Sequence, residues 1–229
     1  MKIGIIGSGN VAQTLGVKFL SLKHEVMISS RDVSKDKGTI PSAENWVKNQ
    51  IKKGYTASAG SFSEAAKFGE LLFNCTAGKY SWLALETAGK ENMKDKILVD
   101  IANPLDFSRG WPPTLTVVND YSLGEQIQAS FPETKVVKAL NTLTAALMIN
   151  PDMLNASHTL FICGNDEEAK KWVKDEILVK WFGWKDIIDL GDIKGSRGME
   201  MYLMLWVRLY SIFDTANFNL KIIKEEKKE

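Results

Sequence analysis

Two glycines separated by one residue follow the first apolar stretch of the chain, in the segment GSGNVA at residues 7–12. Glycine at position 7 permits a tight turn out of a strand, and glycine at position 9 leaves room for a phosphate beside the backbone. Ala12 is small enough for the following helix to pack closely on that strand. The segment therefore predicts a pyrophosphate site at the start of a helix, formed by Gly7, Ser8, Gly9, Asn10 and Val11.

The residues on either side of this turn support the prediction. Residues 2–6 (KIGII) predict a strand, and apolar side chains recur at helical spacing from Val11 to Leu22. A second predicted strand, Glu25–Ser29, follows at the distance expected for one βαβ unit. The unit is typical of dinucleotide-binding proteins, and the alternative is an ordinary glycine turn between a strand and a helix.

The residues after the second strand bear on which dinucleotide binds. Sites for NAD usually carry Asp or Glu there, to accept a hydrogen bond from the ribose 2′-OH, whereas this chain has Ser30 and Arg31. A hydroxyl and a guanidinium both donate to a 2′-phosphate, and Lys35 adds a further positive contact. We therefore predict a preference for NADP(H). The alternative is that Arg31 and Lys35 are solvated loop charges.

One carboxylate conflicts with this interpretation. Asp32 lies about 20 residues after Ala12, which is the spacing of the acid in NAD-binding sites. Because Glu25–Ser29 supplies the strand pattern, we expect Asp32 to lie in the loop beyond the strand rather than at the ribose.

Five segments of the chain resemble those of deazaflavin-dependent NADP reductases, also called coenzyme F-420 reductases. They are IGIIGSGNVA at 3–12, SSRD at 29–32, DIANP at 100–104, VVKALNT at 136–142 and LFICGND at 160–166. The same segments are similar to the cytosolic NADPH domain of the six-transmembrane epithelial metalloreductases. The resemblance spans residues 2–210.

Predicted strands and helices alternate along most of the chain, which is typical of an α/β fold. We expect a Rossmann-like, doubly wound, mostly parallel sheet of about eight strands, with a C-terminal helix at about residues 196–216. The chain would form one NADP-binding domain over residues 1–220, followed by a charged, disordered tail over 221–229. The predicted elements include a third strand at Tyr55–Ala57, helices at Ser61–Phe68, Ser81–Gly89 and Asp166–Lys180, and a seventh strand at His158–Gly164.

In an open α/β sheet, ligands bind outside the carboxyl ends of the strands, where the strand order reverses. The loop after the fourth predicted strand should therefore bring Thr76 and Ala77 along the cofactor. The family resemblance implies the same role for Thr76 and puts Asn103 and Pro104 beside the nicotinamide. Lys79 and Tyr80 match no fixed family residue, and Tyr80 is alternatively an ordinary aromatic residue at a helix entry.

The resemblance also implies that Asn141 and Leu143 meet the nicotinamide face where hydride leaves or arrives. Some deazaflavin reductases have His at the position of Asn141, whereas the metalloreductases have Asn, as here. An Asn side chain can orient a carboxamide because it both donates and accepts hydrogen bonds. Alternatively, Asn141 caps the helix that follows. Trp111, beside two prolines, is either a rigid wall for a flat second substrate or a buried anchor of its loop.

Composition argues against several other classes of protein. The 229 residues include 29 Lys+Arg and 28 Asp+Glu, so no broad basic field predicts nucleic-acid binding. No stretch approaches the roughly 18 apolar residues of a membrane span, and no signal pattern opens the chain, so we expect a soluble cytoplasmic protein. Cys75 and Cys163 are expected to be reduced core residues.

The sequence offers no motif for metal binding or for a serine nucleophile, and it contains only His24 and His158 as histidines. Both histidines are predicted to lie away from the carboxyl ends of the strands. Direct hydride transfer between two bound rings needs orientation and exclusion of water more than acid–base groups. We therefore expect no catalytic acid, base or metal.

These observations favour an NADP(H)-dependent oxidoreductase that transfers hydride between the nicotinamide and a small-molecule acceptor of flavin type. The resemblance implies a deazaflavin (coenzyme F-420), and FMN or FAD are the further candidates. One alternative is an NADPH-binding or sensing module without turnover. Another is a hydroxyacid or pyrroline-carboxylate type reductase, for whose helical second domain the chain is too short. The last helix is apolar nearly all round, so we expect a homodimer or docking against the second-substrate cleft.

Overall fold

The computed structural model describes residues 1–36 and 38–225 and contains ten strands within them. The strands are β1 (Lys2–Ile6), β2 (Glu25–Ser29), β3 (Ala57–Gly60), β4 (Leu71–Asn74), β5 (Ile97–Asp100), β6 (Leu105–Asp106), β7 (Thr114–Leu115), β8 (Lys135–Ala139), β9 (Leu160–Gly164) and β10 (Ile187–Asp189). The helices are α1 (Asn10–Ser21), α2 (Ala43–Lys52), α3 (Phe62–Phe68), α4 (Gly78–Ala88), α5 (Lys90–Met93), α6 (Leu123–Ser130), α7 (Ala145–Ile149), α8 (Glu167–Trp172) and α9 (Ser196–Phe213).

Eight of the strands form one sheet in the order β10-β9-β8-β5-β4-β1-β2-β3, while β6 and β7 form a separate hairpin. All neighbours in the sheet are parallel except β8 and β9, which are antiparallel. β1 pairs with β2 on one side and with β4 on the other, so the strand order reverses there. The predicted α/β, Rossmann-like, mostly parallel sheet with a C-terminal helix is confirmed.

The sheet is buried on both faces, which explains why its central strands are almost continuously apolar. On one face, Ile3 and Ile5 of β1 pack in a cluster with Leu15 and Phe19 of α1. On the other face, the cluster includes Leu72 of β4, Leu98 of β5 and Val136 of β8, together with side chains of α3, α4, α6 and α9.

Several predicted boundaries move in the structure. The third strand begins at Ala57 instead of Tyr55, and α4 begins at Gly78 instead of Ser81. The helix predicted from Ser61 is α3, and a capping box formed by Ser61 and Glu64 is present at its start. The helix predicted over Asp166–Lys180 is α-helical only to Trp172 and continues as a π-helix over Val173–Trp181.

Two contacts fix the last helix to the rest of the fold. Arg197 donates to both carboxylate oxygens of Glu125 on α6, from Nε at 2.8 Å and from Nη2 at 2.6 Å. One turn further along α9, Glu200 accepts from the backbone N–H groups of Leu123 and Gly124 at the start of α6. A carboxylate at a helix N-terminus satisfies N–H groups that lack a partner within the helix.

The chain after α9 returns to the sheet beside β9. The backbone N–H of Thr159 donates to Leu220, the N–H of Ile222 donates to the hydroxyl of Thr159, and Lys221 pairs with Asp186. Residues 221 and 222 thus contact the body of the protein, and the disorder expected for the tail over 221–229 stays a prediction. Residues 226–229 of that tail lie outside the described residues.

Tight packing between β1 and α3 makes Gly4 a test of the fold. A Cβ atom at Gly4 would overlap the carbonyl oxygen of Ala65, which is backbone and cannot move aside. We expect Gly4→Ala to lower the free energy of unfolding by about 1–3 kcal/mol in urea denaturation. The matched control is Gly198→Ala in α9, where a Cβ meets no atom within 4 Å and should stabilise the helix by about 0.5–1 kcal/mol. Equal effects at the two glycines would contradict this packing.

The contact between Arg197 and Glu125 predicts how stability changes in acid. The hydrogen bonds from Arg197 hold the pKa of Glu125 below its ordinary value. A carboxyl whose pKa is lowered on folding stabilises the protein above its unfolded pKa, about 4.3 for Glu, and loses that effect as the pH falls through the folded pKa. We expect Glu125→Gln to cost about 1–2 kcal/mol of unfolding free energy at pH 7 and less below pH ~4. A cost in urea denaturation that does not change with pH would refute this assignment.

Candidate functional site

Two adjoining cavities open at the carboxyl ends of β1, β2, β4 and β5. The first, here named the Arg31 cavity, has a volume of about 660 Å³ and is lined by Gly7, Ser8, Gly9, Ser30, Arg31 and Lys35, among other residues. The second, the Asn103 cavity, has a volume of about 490 Å³, and its lining includes Val11, Gly78, Ala102, Asn103 and Phe107. Cys75, Thr76, Ala77 and Tyr80 line both cavities, so the two form one continuous cleft.

The glycine turn has the geometry that its sequence predicts. Gly7 has φ +129°, and a Cβ there would lie 2.7 Å from the carbonyl oxygen of Cys75, so a side chain at this position would be strained. At Gly9, in contrast, a Cβ would meet no atom within 4 Å, because this side of the backbone faces the open cleft. Gly9 is also the N-cap of α1 and contributes no capping side chain. An anion can therefore approach the first N–H groups of the helix.

The end of β2 presents different side chains to different neighbours. Ser29 is fully buried, where its hydroxyl donates to the carbonyl of Ile5 and accepts from the N–H of Gly7, so it fixes the glycine turn. Ser30 and the exposed Arg31 border the Arg31 cavity, as does Lys35. Asp32 also borders it, but its carboxylate accepts from the N–H and hydroxyl of Ser34, which lower its pKa. The Asp32 carboxylate thus stabilises the loop after β2, as expected for a residue beyond the strand.

Tyr80 connects the two walls of the Arg31 cavity. It lies in the first turn of α4 and is 48% exposed. The guanidinium carbon of Arg31 lies 5.4 Å from the centre of the Tyr80 ring, in a cation–π contact. Tyr80 is therefore both a residue of a helix entry and part of the cleft wall. Lys79, its neighbour, lines only the Asn103 cavity.

The start of α4 packs against the segment that follows β5. A Cβ at Gly78 would overlap the carbonyl of Asn103, so glycine permits this close approach. Thr76, just before the helix, is held by its hydroxyl, which donates to Asn74 Oδ1 at 2.7 Å and contacts the hydroxyl of Ser81. The walls formed by Thr76 and Asn103 are therefore fixed to each other through α4.

A row of buried polar side chains lies directly beneath this wall. Asn74, Asp100 and Lys138 are register partners on β4, β5 and β8, and we name them the polar ladder. Asp100 accepts from Asn74 Nδ2 at 2.7 Å and from Lys138 Nζ at 2.8 Å. Lys138 also pairs with Glu200 at 2.9 Å. Burial alone would lower the pKa of Lys138, but the charges of Asp100 and Glu200 outweigh it and raise that pKa above its ordinary value.

Sequence reasoning missed the polar ladder, although a signal was present. Each of the three residues follows a run of buried apolar residues, LLF before Asn74, LV before Asp100 and VV before Lys138. A polar residue at the end of such a run is buried with its strand and needs a partner there. Parallel strands in register bring those partners together.

Asn141 lies behind the cleft wall. It is 1% exposed and does not border either cavity, and Leu143 is also buried. Asn141 Nδ2 donates to Asn103 Oδ1 at 2.8 Å and to the carbonyl of Met199, while Asn103 Nδ2 donates to the carbonyl of Asn141. The expectation that Asn141 caps the next helix is wrong, because α7 begins at Ala145 with Thr144 as its N-cap. Direct contact of Asn141 with nicotinamide stays a prediction.

β6 and the loop after it line part of the Asn103 cavity, and this loop also contacts α9. Phe107 lines the cavity, and its ring centre lies 6.3 Å from that of Trp111. Trp111 contacts Tyr210 on α9, with 5.8 Å between the ring centres, and donates from Nε1 to the hydroxyl of Ser211. Because Trp111 is 54% exposed, the expectation of a buried anchor is wrong.

The cysteines lie where thiol chemistry is suppressed. Cys75 lines the cleft, but burial, with a contribution from Asp100, raises its pKa far above the ordinary range. Burial also raises the pKa of Cys163 to about 12. Both thiols are free and protonated at neutral pH, which favours the structural interpretation of each.

The two histidines are engaged outside the cleft. The ring of His24 lies 4.6 Å from that of Trp181. The predicted location of His158 is wrong: because β9 runs antiparallel to β8, the start of β9 lies at the carboxyl edge of β8. His158 nevertheless has a structural role, since its two ring nitrogens contact the carbonyl of Pro151 and the amide of Asn219.

The described part of the chain offers neither a cluster of metal ligands nor a membrane-spanning helix. No group of three or more His, Cys, Asp or Glu side chains in residues 1–36 and 38–225 could hold a metal ion. Among the helices within that part of the chain, none has the length and apolar character needed to cross a membrane.

Comparison with known proteins agrees with this geometry. Residues 2–104 match the family model described as NADP oxidoreductase, coenzyme F420-dependent. The F420-dependent NADP reductase of Methanocaldococcus jannaschii is 30% identical over 230 residues, which cover 99% of this chain and 100% of the relative. A crystal structure from Arthrobacter sp. FB24, provisionally assigned as an F420-dependent NADP reductase, is 46% identical with a TM-score of 0.90, covering 98% of this chain and 100% of that one.

A second group of relatives shares only part of its length with this chain. Metalloreductase STEAP3 of Rattus norvegicus is 26% identical over 200 residues, which cover 87% of this chain but 36% of the metalloreductase. The full-length match to the Methanocaldococcus jannaschii reductase is the one that decides the family. The chain is a member of the F420-dependent NADP reductase family and, as such, an NADP-dependent oxidoreductase.

Proposed function

We propose that the protein transfers hydride directly between NADP(H) and a deazaflavin or flavin bound beside it in the cleft. The observation that carries this proposal is the Arg31 cavity. It joins an open helix N-terminus at Gly9 to the hydroxyl and cationic side chains of Ser30, Arg31 and Lys35. A pyrophosphate and a 2′-phosphate are the two anionic parts of NADP(H), and this cavity offers donors for both.

The direction of the cofactor follows from these two anion sites. With the 2′-phosphate at Arg31 and the pyrophosphate at residues 7–11, the nicotinamide half extends toward Thr76, Ala77 and the Asn103–Pro104 segment. Asn103 then borders the nicotinamide, and Asn141 acts on it through the hydrogen bonds to Asn103. This arrangement supports the site residues predicted from the sequence, which include no catalytic acid or base.

The Asn103 cavity supports a flat second substrate. It includes the residues proposed to border the nicotinamide, Thr76, Ala77 and Asn103, and its other walls include Phe107 and the start of α4. Direct hydride transfer requires two rings held face to face with water excluded, and an aromatic wall contributes to both. The similarity to F420-dependent NADP reductases favours coenzyme F420 as the acceptor, with FMN and FAD as further candidates.

The alternative of a binding module without turnover is tested directly. Steady oxidation of NADPH in the presence of F420, FMN or FAD, followed at 340 nm, would exclude it. NADPH binding with no oxidation by any of the three would favour it. The cytoplasmic location and the homodimer expected from the sequence stay predictions.

Removal of the Arg31 side chain tests the preference for NADP(H). Arg31→Ala should weaken NADPH binding about ten- to a hundredfold, because a charge-assisted contact with the 2′-phosphate is lost. Binding of NADH, which lacks this phosphate, should change by less than about twofold. Both affinities are measured by fluorescence titration of the reduced nicotinamide.

Arg208→Ala is the matched control, since Arg208 is an exposed arginine on α9 that does not line the Arg31 cavity. It should leave both affinities unchanged. Equal binding of NADH and NADPH to the wild type, together with no effect of Arg31→Ala, would show that another group, with Asp32 the first candidate, recognises the ribose.

A further inference from the structure

Lys138 does not line either cavity, yet three acceptors converge on its ammonium group. They are Asp100 Oδ2 at 2.8 Å, Glu200 Oε1 at 2.9 Å and the carbonyl oxygen of Ala102 at 2.5 Å. A lysine ammonium has three hydrogens, so each hydrogen has one acceptor. The side chains of Lys138 and Asp100 are fully buried, and that of Glu200 is 2% exposed.

One of these acceptors belongs to the cleft wall itself. Ala102 is held on both sides, because its carbonyl accepts from Lys138 and its N–H donates to Asp100 Oδ1 at 3.2 Å. Ala102 and the next residue, Asn103, both line the Asn103 cavity. The position of this wall therefore depends on the ion pair beneath it.

The opposite wall is connected to the same group through Asn74. Asn74 Nδ2 donates to Asp100 Oδ1, and Asn74 Oδ1 accepts from the hydroxyl and N–H of Thr76 at 2.7 and 3.3 Å. Thr76 lines both cavities. Lys138 is thus connected to both walls: to Ala102 directly, and to Thr76 through Asp100 and Asn74.

We propose that Lys138 is a positioning residue for hydride transfer, which sets the separation of the Thr76 and Ala102–Asn103 walls around the nicotinamide through Asp100 and Asn74. The inference rests on the proposed function and adds a residue to it. Through Thr76 and Ala102 the ladder supports the walls of the Asn103 cavity, whereas Gly9 and Arg31 follow β1 and β2. Loss of Lys138 should therefore affect the two halves of the cofactor unequally.

The experiment compares two ligands on the full-length protein. NADPH occupies both halves of the cleft, whereas adenosine 2′,5′-bisphosphate carries the 2′-phosphate and lacks the nicotinamide. Lys138→Met should weaken NADPH binding about tenfold and leave the affinity for the bisphosphate within about twofold. With F420 as acceptor, kcat should fall about a hundredfold, because misplacement of reacting rings by about 1 Å has effects of that size.

A second variant covers the case in which Lys138→Met does not fold, since that change leaves two buried carboxylates without a cation. The triple variant Asp100→Asn, Lys138→Met, Glu200→Gln removes all three charges while it keeps similar side-chain shapes. It should fold with a stability nearer the wild type and show the same selective loss of NADPH affinity. If the folded variants bind NADPH and the bisphosphate with the wild-type ratio of affinities and keep kcat, the proposal is overturned.

The chain offers a close control in Lys170, another buried lysine. Its ammonium group pairs with Glu167 and Asp189 and donates to the carbonyl of Gly191, but these residues do not line either cavity. Lys170→Met should destabilise the protein without changing the ratio of the two affinities. An equal shift of the ratio in Lys170→Met would mean general loosening and would also overturn the proposal.

Different results would refute the proposed function and the positioning role of Lys138. A wild-type protein that does not bind NADPH at all would refute the proposed function itself. A wild type that binds NADPH, with a ratio of affinities unaffected by Lys138→Met, would refute only the positioning role.

Discussion

A buried ammonium group with three acceptors is the constraint on which much of the cleft depends. Removal of a charge from water is expensive, and the cost is offset only when opposite charges and hydrogen bonds surround it. Lys138 meets that requirement through Asp100, Glu200 and the carbonyl of Ala102. These partners belong to β5, to α9 and to the cleft wall. The Lys138 ammonium group therefore fixes the positions of these three parts relative to one another.

The cleft itself combines two kinds of support. At the end formed by the glycine turn, backbone geometry dominates. Gly7 adopts a conformation that other residues avoid, and its N–H donates to the hydroxyl of Ser29 in β2. At the other end, side-chain hydrogen bonds dominate, from Thr76 through Asn74 to Asp100. Backbone N–H groups suit phosphates, which are present in every dinucleotide, whereas a reactive ring needs a wall of defined position.

The geometry of the glycine turn and of the end of β2 was predictable from sequence because its signals are local. Gly7, Gly9 and the residues Ser30 and Arg31 lie close to the strands that position them, so strand pattern and spacing sufficed. The structure places Asn141 beside Asn103, to which its amide donates, while its contact with nicotinamide stays a prediction. The burial of the Asn141 side chain was not predictable from sequence. It depends on α9, whose Met199 carbonyl accepts a hydrogen bond from Asn141.

The polar ladder and the location of His158 were missed for a related reason. Both depend on which strands are neighbours and on their direction. Asn74, Asp100 and Lys138 are far apart in sequence and become partners only through the register of β4, β5 and β8. Likewise, the reversed direction of β9 carries His158 to the opposite edge of the sheet from the one that a parallel strand would give.

The late position of Glu200 in the chain affects the order in which the cleft can be completed during synthesis. A ribosome releases β1, the glycine turn and β2 first, so Gly7, Gly9 and Arg31 are present early. The second carboxylate of the buried ion pair, Glu200, is on α9 and emerges after every strand of the sheet. Until then Lys138 has one carboxylate partner, and the start of α6 lacks the acceptor that Glu200 provides. A nascent chain therefore carries the glycine turn and Arg31 before it has the second carboxylate that holds Lys138 beneath the Ala102 wall.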